Sequence, residues 1–356
     1  IGYDALGAAV AGGEQNVAIG NYALDAVTSG DHNIAVGHEA GSALANAFRN
    51  VLLGVSSGLL QTSATNTVAI GHLALSGNSN TNSIENTVIG RSAMQTAGGH
   101  YNVAIGHNTL YSQASGAEYN TAVGHQTAYN LTTGTSNTFV GKGVAHNETT
   151  SSHNTAVGKY AMLYARNGTG FNTAVGEFAL AGTAEFQTGA YNSAFGADAL
   201  KGITTGSYNI GIGYDSGDNI TSGSNNVMIG GADAASATAS DQLSISSGDG
   251  SPVWITGDST GGIYSKAGVV AVTGNTTLTQ AQSGAYVYWT AGTLTLPQNP
   301  IVGTQFTIFN NTGGSVTVAL GSGDGMQNNW ASNAATADND ATTYVCLEAD
   351  KWVQVG

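Results

Sequence analysis

Cysteine is almost missing from this 356-residue chain: Cys346 is the only one, so no intrachain disulfide framework holds the fold. Proline occurs three times, at Pro252, Pro297 and Pro300. That excludes collagen and leaves every backbone N–H before Pro252 free to pair. Charge is scarce too, at 8 % of residues against about 25 % in an ordinary soluble domain. What charge there is leans acidic, 22 Asp and Glu against 8 Lys and Arg, for a net −14. This disfavours nucleic acid as a partner, and electrostatic docking on anionic lipid as well. No apolar run approaches the roughly 18 residues of a membrane-spanning helix, so membrane insertion is not expected. The 41 % hydrophobic content is too high for a solvated disordered chain. The opening IGYDALGAAV has no secretory signal pattern and reads as the interior of a repeat.

Glycine, by contrast, is abundant at 52 residues, and it punctuates a repeat. The unit reads Asn, small or β-branched, small, apolar, Gly, as in NVAIG ending at Gly20 and NTAVG ending at Gly124. Thirteen steps carry the anchor glycine from Gly2 to Gly230, about 17.5 residues each. The apolar residue before each anchor is Ile19, Val36, Leu53, Ile70, Ile89, Ile105, Val123, Val140, Val157, Val175, Phe195, Ile212 or Ile229. Period-two patterning with β-branched residues makes each unit a strand and places these thirteen residues in the expected core. An asparagine stands four before the anchor at Asn16, Asn33, Asn50, Asn86, Asn102, Asn120, Asn137, Asn154, Asn172, Asn192, Asn209 and Asn226. In the unit ending at Gly71, Asn66 sits one place earlier, as if one residue were inserted. Seven units carry glycine seven before the anchor, which reads as a tight turn with positive φ. A second apolar patch, as at Ala23-Leu24 and Ala179-Leu180, predicts a second short strand.

Seventeen residues bury no core alone, but stacked units do, each covering the next. Stacking aligns the asparagines into a ladder whose amides satisfy one another. At about 4.8 Å per unit the stack is expected to rise roughly 60 Å. The density of Gly, Asn and Thr argues against an α-solenoid. The fold class is therefore all-β: a β-roll solenoid over residues 1–235.

The pattern N-x-A-[IV]-G-x-x-A resembles the head repeats of trimeric autotransporter adhesins, the YadA-like β-roll. Longer Thr-Gly-rich stretches such as TTGTSNTFVGKGVA make it more similar to bacteriophage tail fibre proteins that carry the same motif. The resemblance implies a homotrimer, in a non-enzymatic fibre of the virion tail. It further implies other tail or fibre proteins on the N-terminal side and a host cell-surface glycan or protein at the distal end. The alternative it implies is a bacterial adhesin passenger or extracellular filament subunit at the cell surface.

Composition shifts after about residue 235. All four tryptophans (Trp254, Trp289, Trp330 and Trp352) and all three prolines lie beyond it. Residues 236–266 read as a cap and neck. Residues 267–356 show short alternating runs such as AYVYWT, QFTIFN and KWVQVG, separated by turn clusters. They predict a β-sandwich or jelly-roll knob, with Trp289, Trp352 and Cys346 in its core.

Candidate chemistry is sparse. His38, His72, His107 and His125 each follow an anchor glycine and would align on a stack, yet Asn21, Lys142, Lys159 and Glu177 fill the same slot. A polar turn position explains them better than a metal site, which needs clustered ligands. No acid recurs at a fixed offset; Asp215/Asp218 and Asp338/Asp340 are the only pairs that resemble a glycosidase dyad. No nucleophile elbow or phosphate-binding loop is present. We therefore expect no catalytic residues, no cofactor and no metal. Receptor contact is expected on the knob, at Asn328, Asn329, Trp330, Asp338 and Asp340, where a tryptophan stands in a polar loop.

Overall fold

The computed structural model describes the chain except for residues 9–11, 78–83, 97, 115, 167–169, 183–188, 262, 266–268, 280–282, 285, 298–301, 311–315, 320–324, 327–333, 337–340, 349–350 and 356. It divides into two compact units, residues 1–253 with 257–262 and residues 254–256 with 263–356. The first unit therefore runs past residue 235 and takes in most of the expected cap and neck.

The first unit is a β-solenoid. One three-residue strand per repeat pairs in parallel with the next: β1 (Val17–Ile19), β2 (Ile34–Val36), β3 (Val51–Leu53), β4 (Val68–Ile70), β5 (Thr87–Ile89), β6 (Val103–Ile105) and β7 (Thr121–Val123). The order continues through β8 (Thr138–Val140), β9 (Thr155–Val157), β10 (Thr173–Val175), β11 (Ser193–Phe195), β12 (Ile210–Ile212) and β13 (Val227–Ile229). Register is strict, with like positions paired, as in Thr121↔Thr138, Ala122↔Phe139 and Val123↔Val140. A fourteenth rung, β14 (Leu243–Ser246), pairs with β13. Its sequence QLSIS hides the repeat, because Gln242 replaces the asparagine and Ser246 replaces the glycine. Strands β15 (Val253–Gly257) and β16 (Ile263–Ser265) follow where the two units divide.

The outer and inner positions of each rung are the reverse of those expected. Ile19, Val36, Leu53, Ile70, Ile89, Ile105, Val123, Val140, Val157, Val175, Phe195, Ile212 and Ile229 are exposed or half-buried, with Ile19, Phe195 and Ile212 each 43 % exposed. The buried residue is the central one, most often alanine as at Ala18, Ala35, Ala104 and Ala194, with Leu52, Val88, Phe139 and Met228 in four other rungs. The interior is narrow, and a leucine or methionine four residues after the anchor (Leu24, Leu75, Met94, Leu110, Leu180, Leu200) fills it from the other side. Volumes compensate across it. Leu52 takes the central strand position where Gly41 and Gly58 vacate the opposite one: a Cβ on Gly41 would stand 2.7 Å from Leu52 Cδ1. Gly211 in turn lies against Leu200.

The second apolar patch is not a strand. Leu24 (φ 51°), Leu75 (52°) and Leu200 (50°) are left-handed turn residues whose backbones still join the ladder. The Tyr22 N–H donates back to Tyr3 O at 2.8 Å, and the Leu24 N–H donates forward to Ala40 O at 3.1 Å. Anchor glycines hold φ between 129° and 143° from Gly20 to Gly213, and a Cβ on Gly54 would stand 2.6 Å from Gly71 O. Both reasons exclude a side chain there. The glycines seven before the anchor have no positive φ, contrary to the turn reading. Position rather than conformation keeps Gly30, Gly99, Gly134, Gly189, Gly206 and Gly223 small, because the next repeat's backbone carbonyl lies where their Cβ would be.

The asparagines form an unbroken chain of hydrogen bonds. Each backbone N–H donates to the Oδ1 of its predecessor, as from Asn33 to Asn16 (2.9 Å) and from Asn154 to Asn137 (2.9 Å). Many side-chain amides donate to the carbonyl seven before the next anchor, as Asn33 does to Ala47 at 2.8 Å. The unit ending at Gly71 contains no insertion. Thr67 occupies its rung, with its N–H donating to Asn50 Oδ1 at 3.0 Å and its hydroxyl accepting from Asn86 N–H at 3.4 Å. Gln242 closes the ladder on Asn226 at 2.8 Å.

The second unit holds a six-stranded sheet. Its order is β17 (Val269–Val272), β19 (Tyr286–Trp289), β21 (Gln305–Asn310), β25 (Ala341–Glu348), β26 (Lys351–Val355) and β23 (Gly325–Met326). Two small pairs accompany it, β18 (Thr276–Thr277) with β20 (Leu294–Thr295) and β22 (Val316–Val318) with β24 (Ala334–Thr336). β17, β19 and β21 pair in parallel, and so do β18 and β20. Where a β-sandwich or jelly-roll was expected, the main sheet is mixed, with antiparallel pairing at β21–β25–β26. In this alternation β18 is the crossover that returns the chain from β17 to β19, the connection parallel neighbours require. Trp289, Trp352 and Cys346 are buried in one core with Phe306, Ile308 and Tyr344.

Candidate functional site

The expected receptor residues Asn328, Asn329, Trp330, Asp338 and Asp340 lie outside the described residues. The candidate surfaces that the structure does describe are on the roll, and each is a column produced by stacking.

The first is the outer face of the sheet. Because the rungs are three residues long and in register, their first and third residues make two parallel columns, chiefly of Val, Ile and Thr with Leu53, Ser193 and Phe195. Large apolar side chains remain exposed along its length, among them Val17, Ile105, Val157, Ile210 and Ile212.

The second column stands five residues before the anchor and was missed in the sequence. Its members are left-handed, and where they are aromatic they stack: Tyr101 on Tyr119 at 4.9 Å, then His153, Phe171, Tyr191 and Tyr208 at 4.6, 5.1 and 4.7 Å. Tyr119 is 58 % exposed and Tyr208 is 56 % exposed. Ring faces are covered by neighbouring rings, so it is mainly edges that reach solvent. The repeated Y-N and F-N dipeptides before the strand were the available signal. A third stack joins Tyr111, Tyr129 and His146 at 4.8 and 5.1 Å.

The histidines that follow anchors share one register, but only His107 and His125 are adjacent, stacked at 5.2 Å. Val55 and Arg91 interrupt the column. Among the described residues no group of three metal-capable side chains occurs.

Of the acid pairs, Asp218 shares a hydrogen bond with Asp233 and feels the like charge of Asp215. Burial, a hydrogen bond with Asp233 and the charges of Asp233 and Asp215 push its carboxyl up to about 6. Asp258 caps a turn, accepting from Thr260 N–H at 2.9 Å. The Asp249 carboxyl is held below its ordinary range by the Ser247 hydroxyl and the Ser251 N–H.

Comparison of the chain with protein-family models, curated proteins and solved structures finds no match.

Proposed function

We propose that this chain is a structural, non-enzymatic fibre: the distal part of a phage tail fibre, in which three rolls associate and the C-terminal unit contacts the host surface. One observation carries the reading, the unpartnered outer face of the sheet. Columns of apolar residues stay in water only at a cost of about 25 cal/mol per Å². Three copies that turned this face toward a common axis would bury it, and the repeated motif resembles that of rolls that do so. Strict register suits the assembly, since each rung offers its neighbour two outward side chains at the same two positions. A stiff roll then projects several copies of a weak binding unit, which raises their effective concentration.

Sedimentation across a range of concentrations tests the association. We expect a trimer for the natural chain, and smaller species for Ile105→Lys/Ile212→Lys with its thermal unfolding retained. A natural chain that sediments as a monomer at every concentration removes the proposal. Adsorption of the trimer to bacterial cells then tests the host contact.

A further inference from the structure

We propose that the roll carries a binding stripe for a linear acidic polysaccharide along the column that directly follows the anchor glycines. Six consecutive rungs place His72, Arg91, His107, His125, Lys142 and Lys159 at this position. Backbone bonds between neighbouring repeats fix the register: Ser92 N–H donates to His72 O, Asn108 to Arg91 O, Gln126 to His107 O, Gly143 to His125 O and Tyr160 to Lys142 O, at 2.9 to 3.1 Å. All six side chains are exposed except that of His107, which is half-buried.

The stripe is an island of basic character in an acidic chain. Three of the eight Lys and Arg residues are in it. Between residues 72 and 159 there is no aspartate, and the three glutamates are Glu85, Glu118 and Glu148. Glu85 and Glu118 stand five and six residues before their anchors, on the far side of the strand from the stripe. Glu148 is buried, accepting the N–H groups of Thr149, Thr150 and Ser151. The next position in each repeat holds Leu73, Ser92, Asn108, Gln126, Gly143 and Tyr160, none of them acidic. The stripe ends where Glu177 takes the slot and binds Lys159 at 2.6 Å.

Stacking like charges one rung apart is unfavourable, as it is for like charges opposed across any pair of strands. The Lys142 and Lys159 ammonium groups converge on a single ring, 5.8 and 5.3 Å from the centre of Tyr160. Lys159 is answered by Glu177, but among the described residues Arg91 and Lys142 have no carboxylate partner, and a ligand with spaced anions supplies one. Rungs rise by about 4.8 Å, an interval of the same order as one sugar of an extended polymer. The amides of Asn108 and Gln126 border the stripe and suit hydroxyl groups. A single-stranded nucleic acid would also supply anions, and the oligonucleotide probe below distinguishes it. The stripe is complete in one chain, so the inference does not depend on trimer formation.

The test uses the full chain and three probes: polygalacturonate, neutral dextran of equal length, and a single-stranded oligonucleotide. We expect polygalacturonate to bind, dextran not to bind, and affinity to fall at least tenfold between 50 mM and 500 mM salt, about the behaviour of counterion release. Arg91→Gln/Lys142→Gln/Lys159→Gln should lose at least tenfold in affinity with unchanged sedimentation and Tm. Arg49→Gln/Arg166→Gln/Lys201→Gln removes the same charge elsewhere and should retain binding. Equal loss in the two triple variants, absence of polygalacturonate binding, or oligonucleotide binding as tight as that of polygalacturonate would each overturn the assignment. The salt series on the natural chain remains decisive if a variant misfolds.

Discussion

The backbone N–H of Asn137 donates to the Oδ1 of Asn120 at 3.1 Å, seventeen residues earlier, and its own Oδ1 accepts the N–H of Asn154. Each asparagine thus serves as donor and acceptor in one buried line. Asn137→Ala should leave the Asn154 N–H without its acceptor and remove the amide's bond to the Ser151 carbonyl, at a cost of about 2–4 kcal/mol. Asn137→Thr should cost less than half as much, because Thr67 already fills this role. Chemical denaturation of both variants checks the ranking; equal losses would contradict the ladder.

The anchor glycines combine a left-handed backbone with close contact between repeats. Gly71 has φ of 133°, and a Cβ there would approach Gly90 O to 2.7 Å. Gly71→Ala should destabilise by about 3 kcal/mol or more. Gly248→Ala, where nothing stands within 4 Å, should change stability little. Thermal melts of the two variants separate a requirement for glycine from a compositional habit.

Volume is traded across the narrow core. Leu52→Ala removes the side chain that fills the space beside Gly41 and Gly58, and should cost about 2–5 kcal/mol. Gly58→Leu in the Leu52→Ala background should fare better than Gly58→Leu alone, despite the left-handed backbone both share. A double-mutant cycle with no coupling would show that the two sites do not share a cavity.

Asp218 titrates near 6 in the fold and near 3.9 in an unfolded chain. The folded state therefore holds the extra proton between those values. The resulting stability is full below about pH 4 and is lost as the pH rises through 6. Much of the carboxyl faces solvent, so screening reduces the effect to about 1 kcal/mol. Asp218→Asn should raise Tm at pH 7 by about 2 °C, with the gain gone at pH 4. A variant that melts lower than the natural chain at pH 7 would reverse this sign.

Much of the roll was legible because its constraints recur. A glycine every seventeen residues, an asparagine four before it and β-branched residues between them state the period, the strand and the ladder. The hidden rung at Gln242–Ser246 escaped because both marker residues are replaced there. The inward face escaped for a different reason. Ile19 and Val17 are larger and more apolar than Ala18, so hydrophobicity alone points the wrong way. In a roll this narrow the central residue faces inward, and where it is small, as at Ala18, Leu24 fills the gap from across the core.

The sequence by itself determined the repeat, its length and its all-β character, because backbone geometry and the need to satisfy buried amides leave few ways to stack such units. Only the tertiary structure decided which side of each rung is interior, since that depends on the width left between facing walls. It also decided that side chains seventeen residues apart become neighbours. The aromatic stacks and the basic stripe exist for that reason: no local window of the chain contains them.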